Sequence, residues 1–127
     1  MGKSEEAAHL FHRVQHAREF IEKNYYRDIS VSDIAASAHL SPSHLTRSFS
    51  EAFSSTPYQY VIEIRLAKAR QLLGDSLFSI EEIIQQIGFY SASSFIRLYK
   101  KRFGETPGST RSKNIGHRIK IQRRNAL

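Results

Sequence analysis

Residues 79–107 read SIEEIIQQIGFYSASSFIRLYKKRFGETP, and residues 30–57 read SVSDIAASAHLSPSHLTRSFSEAFSSTP. Laid one over the other, the two stretches are copies of one pattern. Ser30 matches Ser79, Ile34 matches Ile83 and Ala38 matches Ile87, each 49 residues apart. Further on the separation becomes 50: Ser41 pairs with Ser91, Leu45 with Phe95, Arg47 with Arg97, Phe49 with Tyr99, Phe53 with Phe103, and Thr56-Pro57 with Thr106-Pro107. The one-residue slip falls in a turn, where an insertion costs least. A repeat of this length is a property of the fold rather than of composition.

Each copy predicts a short helix, a turn and a longer helix. In the first, Ser30 followed by Asp33 is a variant of the capping box. Ile34, Ala35 and Ala38 give the short helix its apolar face. His39 and Leu40 make the turn, histidine being one of the residues that tolerate left-handed backbone. Ser41 caps the next helix and Pro42 takes its first position. Leu45, Phe49 and Phe53, four apart, mark the buried side. In the second copy Ser79 and Glu82 form the capping box, and Ile80, Ile83, Ile84 and Ile87 the apolar face. Gly88 makes the turn, Ser91 caps, Phe95, Tyr99 and Phe103 are core, and Gly104 stops the helix. Thr106-Pro107 opens a last turn ending near Arg111.

A helix is predicted between the copies, from Thr56 to Leu73, with Gly74 as its terminating glycine. Ile62, Leu66, Ala69 and Leu73 form one apolar stripe, and Val61, Ile64 and Leu72 a neighbouring one. Only Gln59, Glu63 and Arg70 are clearly polar, so this helix must be covered from more than one direction. Ahead of the first copy, Leu10, Val14, Ala17, Ile21 and Tyr25 predict a helix from about Leu10 to Tyr25. The fold class is therefore all-α, with two tandem helix-turn-helix subdomains joined by a long central helix and about seven helices in all. The expected divisions are a flexible 1–9, a first subdomain 10–55, a linking helix 56–74, a second subdomain 75–111 and a basic tail 112–127.

Charge is unevenly spread. The 127 residues carry a net +7, yet residues 1–110 hold thirteen Lys/Arg against twelve Asp/Glu, while residues 111–127 hold six Lys/Arg and no acid. The high pI is thus mostly a property of the tail and says little about the folded part. There is no cysteine, which excludes disulfides and thiolate metal sites. Residues 1–6 lack the apolar core of a signal peptide, and no apolar run approaches the roughly 20 residues that span a bilayer. A cytoplasmic location is expected. Carboxylates form no convergent pair, and Gly2-Lys3-Ser4 lacks the strand and glycine loop of a phosphate site, so no catalytic residue and no cofactor are assigned. His9, His12 and His16 fall near one face of the first helix. Isolated helix histidines need ligand partners from elsewhere in the chain, so they are read as solvated side chains, and no metal is expected.

The outer faces of the two longer helices carry the functional signal. The first offers Ser43, Thr46 and Arg47, the second Ser93, Ile96 and Arg97. Short side chains allow close approach to base edges, arginine can pair bidentately with guanine, and Ile96 suits a thymine methyl. No acid interrupts either N-terminal half, and a helix N-terminus accepts phosphate. An ordinary solvated face would carry Glu and Lys, as Glu51 does at the far end. The candidate DNA-binding sets are Pro42, Ser43, Thr46 and Arg47 on the first helix, and Ser91, Ala92, Ser93, Ile96 and Arg97 on the second.

Over residues 10–111 the chain resembles the DNA-binding region of the AraC/XylS family of bacterial transcription regulators, and in length its short MarA/SoxS-type members. The second copy carries the most specific segment: Ile83 through Gly88-Phe89, Ser91, Phe95, Arg97, Tyr99, Lys100-Lys101, Phe103-Gly104, Thr106-Pro107 and Arg111. The resemblance implies two recognition helices in successive major grooves of double-stranded DNA, and activation through RNA polymerase. The copies are tandem and non-identical, so one monomer is expected to read an asymmetric site. Lys100, Lys101 and Arg111 are expected at phosphates. A helical protein-interaction module, or an isolated fragment of a longer sensor-regulator, are the alternatives. Three residues depart from the family pattern. His39 replaces a turn glycine, Ile84 replaces a small residue, and Thr110 stands where an aromatic residue is usual.

Overall fold

A computed structural model describes residues 2–115; the greater part of the expected basic tail lies outside them. The described residues contain helices and no strand. In chain order they are α1 (Gly2–Asn24), α2 (Val31–Ser37), α3 (Pro42–Phe53), α4 (Pro57–Asp75), α5 (Ile80–Ile87) and α6 (Ala92–Phe103). Residues 107–115 are helical again. The chain divides into two compact units, Met1–Ile64 and Arg65–Leu127, so the boundary falls inside α4.

The copies repeat in three dimensions at the level of single hydrogen bonds. Ser30 and Asp33 form the full reciprocal box, with bonds of 2.9 and 3.0 Å. Its counterpart Ser79 accepts from the Glu82 N–H at 3.1 Å, but the return bond is not made, so only half of the expected box forms there. The Oγ atoms of Ser41 and Ser91 each accept, at 3.1 Å, from the N–H three residues on. Thr56 and Thr106 do the same for Gln59 and Ser109.

The stops coincide as well. His39 (φ 56°) and Gly88 (φ 85°) are both left-handed, as are Ser54 (φ 57°) and Gly104 (φ 77°). Leu40 and Phe89 donate their N–H groups to the carbonyls of Ala35 and Ile84 at 3.0 and 3.2 Å. The 49-residue register therefore holds through Phe89, and the inserted residue is Tyr90, which is 77% exposed. Left-handed backbone costs a residue with a Cβ about 1–2 kcal/mol, against a smaller entropic penalty for glycine. His39→Gly is expected to stabilise the first unit by up to about 1 kcal/mol, read as a higher denaturation midpoint.

In the first unit Val14, Ala17 and Ile21 of α1, Ile34, Ala35 and Ala38 around α2, Leu45 and Phe49 of α3 and Val61 of α4 form one buried cluster. Phe49 meets Phe53 and Tyr60 at ring distances of 4.8 and 5.7 Å. The Tyr60 hydroxyl donates to Glu22 at 2.7 Å. Burial, reinforced by that bond, pushes the phenol pKa up to about 12.

In the second unit Ile83, Ile84 and Ile87 of α5, Phe95 and Tyr99 of α6 and Leu66, Ala69 and Leu73 of α4 are buried. Phe89, Phe95, Tyr99 and Phe103 follow one another at ring distances of 5.4, 5.7 and 4.7 Å.

Two expectations are corrected. α1 begins at Gly2 rather than near Leu10. Glu5, Glu6, Ala7 and Ala8 are good helix formers, but all are exposed and so leave no apolar stripe to reveal them. Gly74 does not end the central helix, which continues to Asp75. A Cβ at Gly74 would lie 3.0 Å from the Asn114 side chain, so this glycine admits a neighbouring side chain instead of stopping the helix. The α4 terminus is closed by Ser76, whose N–H and hydroxyl both donate to the Leu72 carbonyl, at 3.0 and 2.7 Å.

Candidate nucleic-acid interface

Each unit presents the second helix of its pair in the same way. α3 and α6 both have 12 residues, a serine N-cap and no acid in the first turn. Leu45 and Phe49, and Phe95 and Tyr99, turn inward and anchor one side. The opposite side is left open. Pro42, Ser43 and Arg47 are exposed on α3, and Ala92, Ser93, Ile96 and Arg97 on α6; Ser91 and Thr46 are partly so.

Thr46 Oγ1 donates to the Pro42 carbonyl at 2.9 Å, so outward it offers lone pairs and a methyl group. The Oγ atoms of Ser91 and Ser93 lie 3.3 Å apart. Among the described residues neither Arg47 nor Arg97 is held by a carboxylate, which leaves both guanidinium forks for a ligand. Ile96, at 41% exposure, puts an aliphatic side chain beside Arg97 where the first helix has Thr46. The two faces thus share an arginine and differ in the neighbour that shapes its surroundings.

The expected phosphate contacts separate. Lys100 and Lys101 are exposed in the last turn of α6. Arg111 is partly buried and donates to the carbonyls of Leu73 and Ser76 in long bonds of 3.4 and 3.3 Å. There it complements the negative end of α4, a cap rather than an outward-facing cation.

What docks the last helical stretch was not evident from the sequence. The buried Tyr99 hydroxyl donates to Thr110 Oγ1, which donates to Glu105 Oε1, both at 2.8 Å. Lys113 closes the chain on Glu105 at 2.7 Å. The Lys113 and Thr110 bonds hold the Glu105 carboxyl below its ordinary range, while burial raises the Tyr99 phenol. Thr110 thus replaces an aromatic residue's contact area with a directed bond. Thr110→Val keeps the shape but strands a buried hydroxyl, and is expected to cost the second unit about 1–3 kcal/mol in chemical denaturation. Because the Glu105 pKa is lowered on folding, its contribution is present above the ordinary carboxylate range and is lost as pH falls through the folded value.

A helix-turn-helix domain model of the AraC type matches residues 34–113, well over half the chain. The chain belongs to the AraC-type helix-turn-helix family. Among AraC-type relatives, the lactose operon transcription activator of Staphylococcus xylosus is 34% identical over 90 residues, 71% of this chain and 32% of that protein. The regulator ExsA of Pseudomonas aeruginosa is 32% identical over 98 residues, 77% of this chain and 35% of that protein. The chain spans between about a third and about half of the length of the curated relatives it matches first. Among solved structures, an AraC-type regulator from Chromobacterium violaceum is 32% identical with a TM-score of 0.74, over 80% of this chain and 91% of that one. The DNA-binding domain of AdpA, solved with a target DNA, is 26% identical with a TM-score of 0.74, over 87% of this chain and 96% of that one.

Proposed function

We propose that this chain binds double-stranded DNA sequence-specifically as a transcription regulator, placing α3 and α6 in successive major grooves. The observation that carries the reading is the twice-repeated open face: a capped, acid-free helix N-terminus with one uncommitted arginine, mounted on a buried opposite side. Pro42, Ser43, Thr46 and Arg47 form the first reader, and Ser91, Ala92, Ser93, Ile96 and Arg97 the second. Lys100 and Lys101 contact phosphate. The names of relatives support an activator, acting through RNA polymerase as the family resemblance implies. Two non-identical readers in one chain suit an asymmetric site, so one monomer suffices. No helix among the described residues is long and apolar enough to cross a membrane, and the reading needs no cofactor, catalytic group or metal. It places the protein in the cytoplasm with the chromosome.

Selection of bound duplexes from a random pool near physiological salt tests this. The expected product is a site of about 20 bp with two unlike half-motifs one helical turn apart. A pool without enrichment, or one enriched in a single half-motif, would overturn it.

A further inference from the structure

Five of the six histidines in the sequence lie on the first unit and line two depressions that share Arg13, one of which takes in His44 near the start of α3. His9 of α1 and His44, the third residue of α3, line one shallow depression with Glu5, Glu6 and Arg13. His12 and His16, one turn apart on α1, line a second with His39 of the helix-turn-helix turn, and Arg13 borders this one too. The end of α2 contributes only uncharged groups, Ser37 and the following Ala38. Among the described residues no three of these side chains converge as metal ligands would, so the cluster acts as charge and not as a chelate.

The balance of that charge is what the imidazoles decide. With all five neutral, one guanidinium faces two carboxylates and the patch is net negative by one. With all five protonated it is net positive by four. Imidazole is the side chain whose ordinary titration, near pH 6.5, falls inside the physiological range. A phosphate close to it favours the charged form, so binding takes up protons.

We propose that this histidine-lined face of α1 and the adjoining turn is a third DNA contact, a seat for backbone phosphates flanking the first reader that is occupied when the imidazoles are protonated. This rests on the DNA-binding reading above and adds a surface to it. Each phosphate engaged steepens the dependence of log affinity on log salt by about 0.9. For a duplex recovered by selection, the full chain is expected to bind about tenfold more tightly at pH 6 than at pH 8, with a salt slope steeper by about 1–2.

The test measures affinity across a salt series at both pH values for the protein and two variants. One variant carries His9→Gln, His12→Gln and His16→Gln, with His39→Asn and His44→Gln added where the helical signal is kept. The three α1 positions are exposed, so that part folds. His117, outside the described residues, stays unchanged in both variants. The expected result is that the pH-dependent change in slope shrinks to less than half. The second variant, Glu5→Gln with Glu6→Gln, removes the opposing acids and is expected to tighten binding at pH 8 several-fold. A wild-type slope indifferent to pH, a histidine variant that keeps the whole change, or an acid variant with unaltered affinity at pH 8 would each overturn the proposal. Failure of the wild type to bind the duplex at pH 8 would instead count against the DNA-binding reading.

Discussion

Phe95→Ala is expected to cost the second unit about 3–5 kcal/mol. Phe95 is fully buried, with its ring 5.4 Å from Phe89 and 5.7 Å from Tyr99. Truncation removes the second of four rings in that series and leaves a void that the flanking rings fill poorly. Against a total stability of about 5–15 kcal/mol for a small domain, such a loss is a large fraction of what the unit has. Urea denaturation followed by circular dichroism, with amide exchange resolved along the chain, is expected to show early loss of α5 and α6 protection while the Val14–Phe49 cluster keeps its own. A shift below about 1 kcal/mol would mean that the ring series is not the keystone of this unit.

Arg47→Ala is expected to weaken specific DNA binding by about 1–3 kcal/mol, five-fold to more than a hundredfold in Kd. Arg47 is exposed on the same side of α3 as Ser43, and among the described residues no carboxylate holds it. Its fork therefore needs no release before it meets a base. Non-specific duplex should lose much less. Arg47→Lys separates charge from geometry, since the ammonium keeps phosphate attraction but lacks the planar pair of donors. It should restore non-specific binding and leave most of the specific loss in place. Equal losses on both duplexes would reassign Arg47 to the backbone.

The elements that could be read from the sequence are those whose signals are local. Ser30, Ser41, Ser79 and Ser91 cap where the pattern puts them, because a cap is decided within three or four residues. The buried Leu45, Phe49, Phe95 and Tyr99 follow from spacing alone. The elements that escaped depend on residues far apart in the chain. Gly74 looks like a stop until Asn114 is seen against it. Arg111 looks like a free cation until its partners, 38 and 35 residues back, are known. Arg65 is 5% exposed, with its guanidinium 5.9 Å from the centre of the Phe89 ring, which nothing in its local sequence announces. The start of α1 escaped for the opposite reason: residues 4–9 are helical with every side chain exposed, and periodicity is silent where nothing is buried. On the proposed interface, the outward placement of Arg47 and Arg97 followed from the repeat, whereas the grouping of His39 and His44 with the α1 histidines needed the fold.

The paired caps and left-handed stops have a consequence for how such a chain changes over time. Ser41, Ser54 and Gly104, Leu45 and Phe95 hold the scaffold and stand outside the two proposed readers, while Ser91 alone serves both, capping α6 from within the second. Substitutions at Ser43, Thr46, Ser93 or Ile96 therefore leave the scaffold's instructions intact. With α3 and α6 as the proposed readers, a descendant would acquire a new genomic address one half-site at a time while the scaffold stays as it is.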